Sequence, residues 1–208
     1  MLGVAGGLLG GSYSRVLILF GRGLPGALGR GIRSRPVLFA AVCGLVVALC
    51  GLGSDGAVFG TGYRQARALV QGEAGTPAAF GALKLLATAA SSVSGIPGGI
   101  FAPSLAVGAG LGANVAALLP GGPAQALVVL GMVAYFAGVV QAPITAFVIV
   151  TEMTNDHALV VPLMLAALIG YAASRLVCPE GVYHALARGF VDVEASARSL
   201  SSASTSTN

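Results

Sequence analysis

Between Lys84 and Glu152 the chain runs for 67 residues without an Asp, Glu, Lys, Arg or His. About 20 apolar residues cross a bilayer once as a helix, so this run predicts several elements at membrane depth, separated by breaks. Uncharged stretches at 36–54 and 158–174 also have spanning length, and residues 1–14 are apolar but laden with glycine. The pattern predicts helices over about 2–20, 36–52, 76–92, 100–119, 124–140 and 157–176. A short or partly embedded helix fits within 56–76, and a last helix opens at 182–190. Ser54-Asp55-Gly56, Pro120-Gly121-Gly122-Pro123 and Cys178-Pro179-Glu180-Gly181 supply the turn chemistry between them. Residues 143–152 are different. Restarted at Pro143 and closed by Thr154-Asn155-Asp156, they give a helix of about 15 Å at 1.5 Å per residue, roughly half of a hydrocarbon core of about 30 Å. The tail after Asp192 is polar and low in complexity, and is expected to be disordered.

Composition turns this pattern into a fold class. A soluble domain is about 25% charged, whereas this chain is 9% charged and 56% hydrophobic. It lacks the polar surface of a water-soluble monomer, and the expectation is an all-α polytopic membrane protein with broken and re-entrant helices. The net charge of +4 does not point to nucleic acid, because Arg15, Arg22, Arg30, Arg33 and Arg35 gather in one segment between apolar stretches. That is the pattern of a cytoplasmic loop, expected at 21–35. Cys43, Cys50 and Cys178 form no disulfide framework or zinc spacing, so packing is their expected role. The start of the chain has no basic region ahead of its apolar residues, and no cleaved signal peptide is expected.

The chemistry lies in the breaks. Ser91-Ser92-Val93-Ser94-Gly95-Ile96-Pro97-Gly98-Gly99-Ile100-Phe101-Ala102-Pro103 places two prolines and three glycines inside the uncharged run. Irregular backbone at membrane depth persists only where protein or a polar cavity satisfies its N–H and C=O groups. Two readings follow: a kink that serves packing, or a helix start whose free amides and positive dipole end face an anion. Gly6 with Gly10, Gly7 with Gly11, and Gly108 with Gly112 have the spacing of close helix packing. Gly108-Ala109-Gly110-Leu111-Gly112 is not a dinucleotide loop, since no strand precedes it and no acidic residue lies about 20 positions on. Glu152, Asp156 and His157 have no nucleophile or metal-ligand partner at a useful spacing. No catalytic or metal site is predicted, and the chain is not read as an enzyme.

At Ser94-Gly95-Ile96-Pro97-Gly98-Gly99-Ile100-Phe101-Ala102-Pro103 the sequence resembles the CLC family of chloride channels and chloride/proton antiporters, whose second half carries a G-x-F-x-P filter motif. Gln141-Ala142-Pro143-Ile144-Thr145, Val150-Thr151-Glu152-Met153-Thr154 and Val182-Tyr183 follow in the same order and spacing, so the resemblance covers about 190 residues. It implies that the amides of Ile100 and Phe101 face a bound chloride, that Gly99 and Ala102 complete the turn, and that the Tyr183 hydroxyl donates to the same ion. Without the resemblance, Tyr183 reads as an interfacial aromatic. Residues 1–190 would then be the second of the family's two inverted repeats and 191–208 a cytoplasmic tail, in the inner (plasma) membrane of a bacterium. The family's dimer interface maps to about 143–176, which implies a homodimer. Chloride and similar small anions would be the transported ligands, with no cofactor. The first half's serine motif, its gating glutamate and the inner proton glutamate have no counterpart in this sequence. Channel and antiporter therefore stay unseparated, and a truncated membrane piece that transports nothing is the rival reading.

Overall fold

The computed structural model describes residues 1–23, 26–96, 98–119, 121–155, 157–183 and 185. Its elements, in chain order, are α1 (Leu2–Gly21), α2 (Gly26–Ser34), α3 (Pro36–Leu52), α4 (Tyr63–Gln71), α5 (Phe80–Val93), α6 (Phe101–Leu118), α7 (Ala124–Val140), α8 (Pro143–Thr154), a 3₁₀ turn (His157–Leu159) and α9 (Val160–Val177). The described residues form no strand. Helices α1, α6 and α9 are long and apolar enough to cross a membrane.

Helix α7 is the centre. It carries no charge, and from Val128 to Val139 all but one residue is buried. A helix that is apolar all round belongs inside other helices, and α1, α6, α8 and α9 surround this one. Glycine makes the approach possible. A Cβ added at Gly7 would stand 2.2 Å from the Gly170 carbonyl oxygen on α9, and one at Gly10 would stand 2.6 Å from that of Tyr135 on α7. Between α6 and α7 the same holds for Gly108 against Gly131 (2.6 Å) and Gly112 against Leu127 (2.5 Å). The three glycine spacings seen in the sequence are therefore helix-packing faces.

The α7–α8 break shows how backbone groups are satisfied at depth. The last carbonyls of a helix have no intrahelical donor. Here Gly138 O accepts from Ser174 Oγ at 2.6 Å and Val139 O from Ser14 Oγ at 2.9 Å, both serines being fully buried. Gln141 then takes a left-handed conformation, φ 55°, and Pro143 restarts the chain as α8.

Three expectations need correction. The Arg-rich segment is not a plain loop: residues 26–34 are helical, because Leu28 and Ile32 recur four apart with Arg30 and Arg33 between and beyond them. Helix α5 starts at Phe80 and not at Thr76, since Gly75 has φ +120° and the Phe80 N–H closes a turn on Pro77 O. Helix α8 runs two residues beyond Glu152, to a left-handed Asn155, and α9 follows a 3₁₀ turn. Pro97, Pro120, Asp156, the last helix beyond residue 185 and the tail expected at 191–208 lie outside the described residues.

Candidate functional site

The α5–α6 break is built by Gly95. Helix α5 ends at Val93, Ser94 closes it with an N–H bond to Ser91 O, and Gly95 reverses the chain at φ +86°, a conformation that disfavours residues with a Cβ. Gly98 and Gly99 follow as exposed, non-helical backbone. Ile100 is already helical (φ −94°, ψ −14°), and α6 runs for 18 residues from Phe101 with no side chain capping its start. The first intrahelical bond runs from Ser104 N–H to Ile100 O at 3.2 Å. Ahead of it, Pro103 has no N–H to offer, so the amides at the terminus are those of Ile100, Phe101 and Ala102. A helix start carries roughly half a positive elementary charge. The terminus is thus a set of neutral donors in a positive field.

The side chains point away from that role. Ile100 packs against the buried cluster that contains Tyr13, Val107, Tyr135, Val139 and Val182, and the Phe101 ring meets buried Phe136 edge-on at a centroid distance of 4.4 Å. Both contacts hold the amides in place while leaving the backbone free.

Tyr183 arrives from the other end of the chain. After α9 the backbone extends through Cys178 and then forms one helical turn, with Ala185 N–H bonded to Gly181 O at 2.9 Å. Val182 is fully buried in the cluster that holds Ile100, and Tyr183 itself is about half exposed. The connection is strapped down. Gln141 Nε2 donates to Cys178 O at 2.6 Å and to Ser174 Oγ at 3.2 Å, and Arg22 forms an ion pair with Glu180. Burial pushes the Cys178 thiol up, which keeps it a neutral packing group.

The structure therefore brings Gly99, Ile100, Phe101 and Ala102 to one uncapped terminus and joins Ile100 to the neighbour of Tyr183 through a shared core. Two groups escaped the sequence pattern. Tyr13 OH and Ser92 Oγ hydrogen-bond at 2.9 Å. The pair is 79 residues apart in sequence, so nothing local announced it. Lys84 had a signal, being the only charge in an apolar helix. It is buried, and its Nζ donates to Val58 O and Gly60 O.

The family model described as voltage gated chloride channel matches residues 1–175. An H(+)/Cl(-) exchange transporter ClcA from Vibrio vulnificus is 38% identical over 109 residues, covering 50% of this chain and 23% of the relative. A voltage-gated ClC-type chloride channel ClcB from Salmonella dublin is 33% identical over 155 residues, 69% of this chain and 36% of the relative. One from Yersinia pseudotuberculosis is 42% identical over 106 residues, 48% of this chain and 26% of the relative. The chain spans about a quarter to a third of the length of these curated relatives.

Proposed function

The chain belongs to the voltage-gated chloride channel family, and on that premise we propose that it lines part of a transmembrane path for chloride and similar small anions. The observation that carries this reading is the uncapped start of α6, where the amides of Ile100, Phe101 and Ala102 meet no capping side chain. Hydrogen bonds to a charged group contribute roughly 1.5–3 kcal/mol each. Several such neutral donors replace part of an ion's hydration shell without the deep trap of a salt bridge, and conduction needs an ion that also leaves. Tyr183 adds a hydroxyl donor, and Gly99 lets the ion approach the backbone closely. In this reading residues 1–190 correspond to one of the family's two inverted repeats, and the membrane is the bacterial inner membrane.

A second reading has its own observation. Gly98, Gly99 and Phe101 are exposed beside the terminus, so the described residues surround the ion on one side. Such a chain inserts but conducts only when the remaining wall is supplied. Anion flux from liposomes separates the two. Chloride efflux through the purified chain supports the first, while efflux only from a version extended upstream supports the second. For the site itself, Tyr183→Phe is expected to weaken bromide or chloride binding by roughly tenfold or more, the worth of one hydrogen bond to an ion. Unchanged anion affinity by calorimetry removes Tyr183 from the site.

A further inference from the structure

Lys84 is 2% exposed, and its Nζ donates to Val58 O at 2.7 Å and Gly60 O at 2.6 Å. An ammonium has three N–H donors, so one is uncommitted. The ion pair among the described residues is Arg22–Glu180, and no carboxylate there neutralises Lys84. Two carbonyl dipoles orient the charge without cancelling it. Ionisable groups at membrane depth are costly unless paired or set along a polar path.

Lys84 lines a cavity of about 130 Å³ together with Val58 and Gly60, the residues whose carbonyls it holds, and with Thr88, Ser91, Ser92, Gly98 and Gly99. Thr88, Ser91 and Ser92 follow Lys84 at i+4, i+7 and i+8, so they share one face of α5. Several other hydroxyls on helices bond back to the preceding turn, as Ser12 does to Leu8 O, Thr151 to Phe147 O and Thr154 to Val150 O. Among the described residues the Thr88 and Ser91 hydroxyls make no such bond. They are free to donate into the cavity. Gly98 and Gly99, where an added Cβ would meet nothing within 4 Å, leave the opposite wall open to the backbone.

We infer that this cavity is a second site for a small monovalent anion, a halide or an ion of similar size. Lys84 Nζ supplies the charge, and the hydroxyls of Thr88 and Ser91 donate beside it. The site is distinct from the α6 terminus. Its place on a conduction path rests on the reading that anions pass that terminus, because Gly98 and Gly99 belong to both; binding in the cavity rests on Lys84 with the Thr88 and Ser91 hydroxyls and not on that reading.

The test is bromide anomalous scattering from crystals of the full chain in detergent, as wild type, Lys84→Met, Lys84→Arg and the double variant Thr88→Val with Ser91→Ala. The expected result is a bromide peak within hydrogen-bond reach of Lys84 Nζ. That peak is retained in Lys84→Arg and lost in Lys84→Met, while a peak at Ile100 and Phe101 is unaffected. An empty cavity at a bromide concentration that fills the α6 terminus overturns the inference, as does a cavity peak that survives in Lys84→Met. Should Lys84→Met fail to fold, the double variant decides, since it keeps the clamp on Val58 and Gly60. Roughly tenfold weaker cavity occupancy supports the site, and equal occupancy overturns it. A filled cavity beside an empty α6 terminus sinks the proposed ion path and leaves the Lys84 site standing.

Discussion

Ser14 and Ser12 sit two positions apart on α1 and do different work. The Ser12 hydroxyl bonds its own helix at Leu8 O and faces outward, whereas that of Ser14 crosses to Val139 O, a carbonyl that α7 cannot satisfy itself. Removing the Ser14 hydroxyl leaves a buried acceptor without a donor. Ser14→Ala is therefore expected to cost about 1 kcal/mol in detergent, measured by the shift in a denaturant or thermal unfolding curve, against no measurable change for Ser12→Ala. Equal effects of the two would show that the carbonyl finds another donor. At this scale the sequence was only half legible. The run from Gly95 to Pro103 shows where the backbone must be irregular, so Ile100 and Phe101 could be picked out. The residues that satisfy such a break, Ser14 and Ser174, are ordinary hydroxyls on apolar helices, and their partners are 125 and 36 positions away. Nothing in local patterning separates them from Ser12.

Among elements, glycine decides which helices touch. Gly7 and Gly44 are both mid-helix, yet a Cβ at Gly7 collides with Gly170 O at 2.2 Å, while one at Gly44 meets nothing within 4 Å. Gly7→Ala must push α1 off α9 and is expected to destabilise by about 1–3 kcal/mol. Gly44→Ala, relieved of backbone entropy, is expected to be neutral or to stabilise α3 by roughly 0.5–1 kcal/mol. Unfolding curves for the two variants check the opposite signs, and a harmless Gly7→Ala would mean that the α1–α9 contact is looser than the backbone indicates. The starts of α3, α7 and α8 were readable because Pro36, Pro123 and Pro143 stand at them. The boundary of α5 was not, because Pro77 closes a turn ahead of the helix instead of opening it. Helix α2 was not legible for another reason: an Arg-rich stretch signals a location at the membrane face and leaves the backbone conformation open.

For the whole molecule, the order of burial outlines what remains to be covered. The core is α7 with α1, α6 and α9 around it, and the outer faces of α8 and α9 are left apolar and exposed. On α9 the exposed residues Val161, Met164, Leu165, Leu168 and Ile169 recur at i, i+3, i+4, i+7 and i+8, and Ile144 and Val148 on α8 are exposed four apart. Lipid would satisfy such a stripe, and so would its own copy. Without a hydrophobic driving force between helices in a bilayer, a stable pair needs packing, and a stripe of large side chains supplies shape rather than polar glue. The homodimer that the family resemblance implies through 143–176 would place two such stripes face to face about a twofold axis, where each residue would meet its own counterpart or a near neighbour. Cysteine placed at Leu168, in a background where Cys43, Cys50 and Cys178 are replaced by Ala, is then expected to cross-link between chains in membranes. Cysteine at Val42 on α3, equally exposed to the surroundings, is expected to stay monomeric. Cross-linking at both positions, or at neither, means that the stripe faces lipid, and the dimer then needs a different surface.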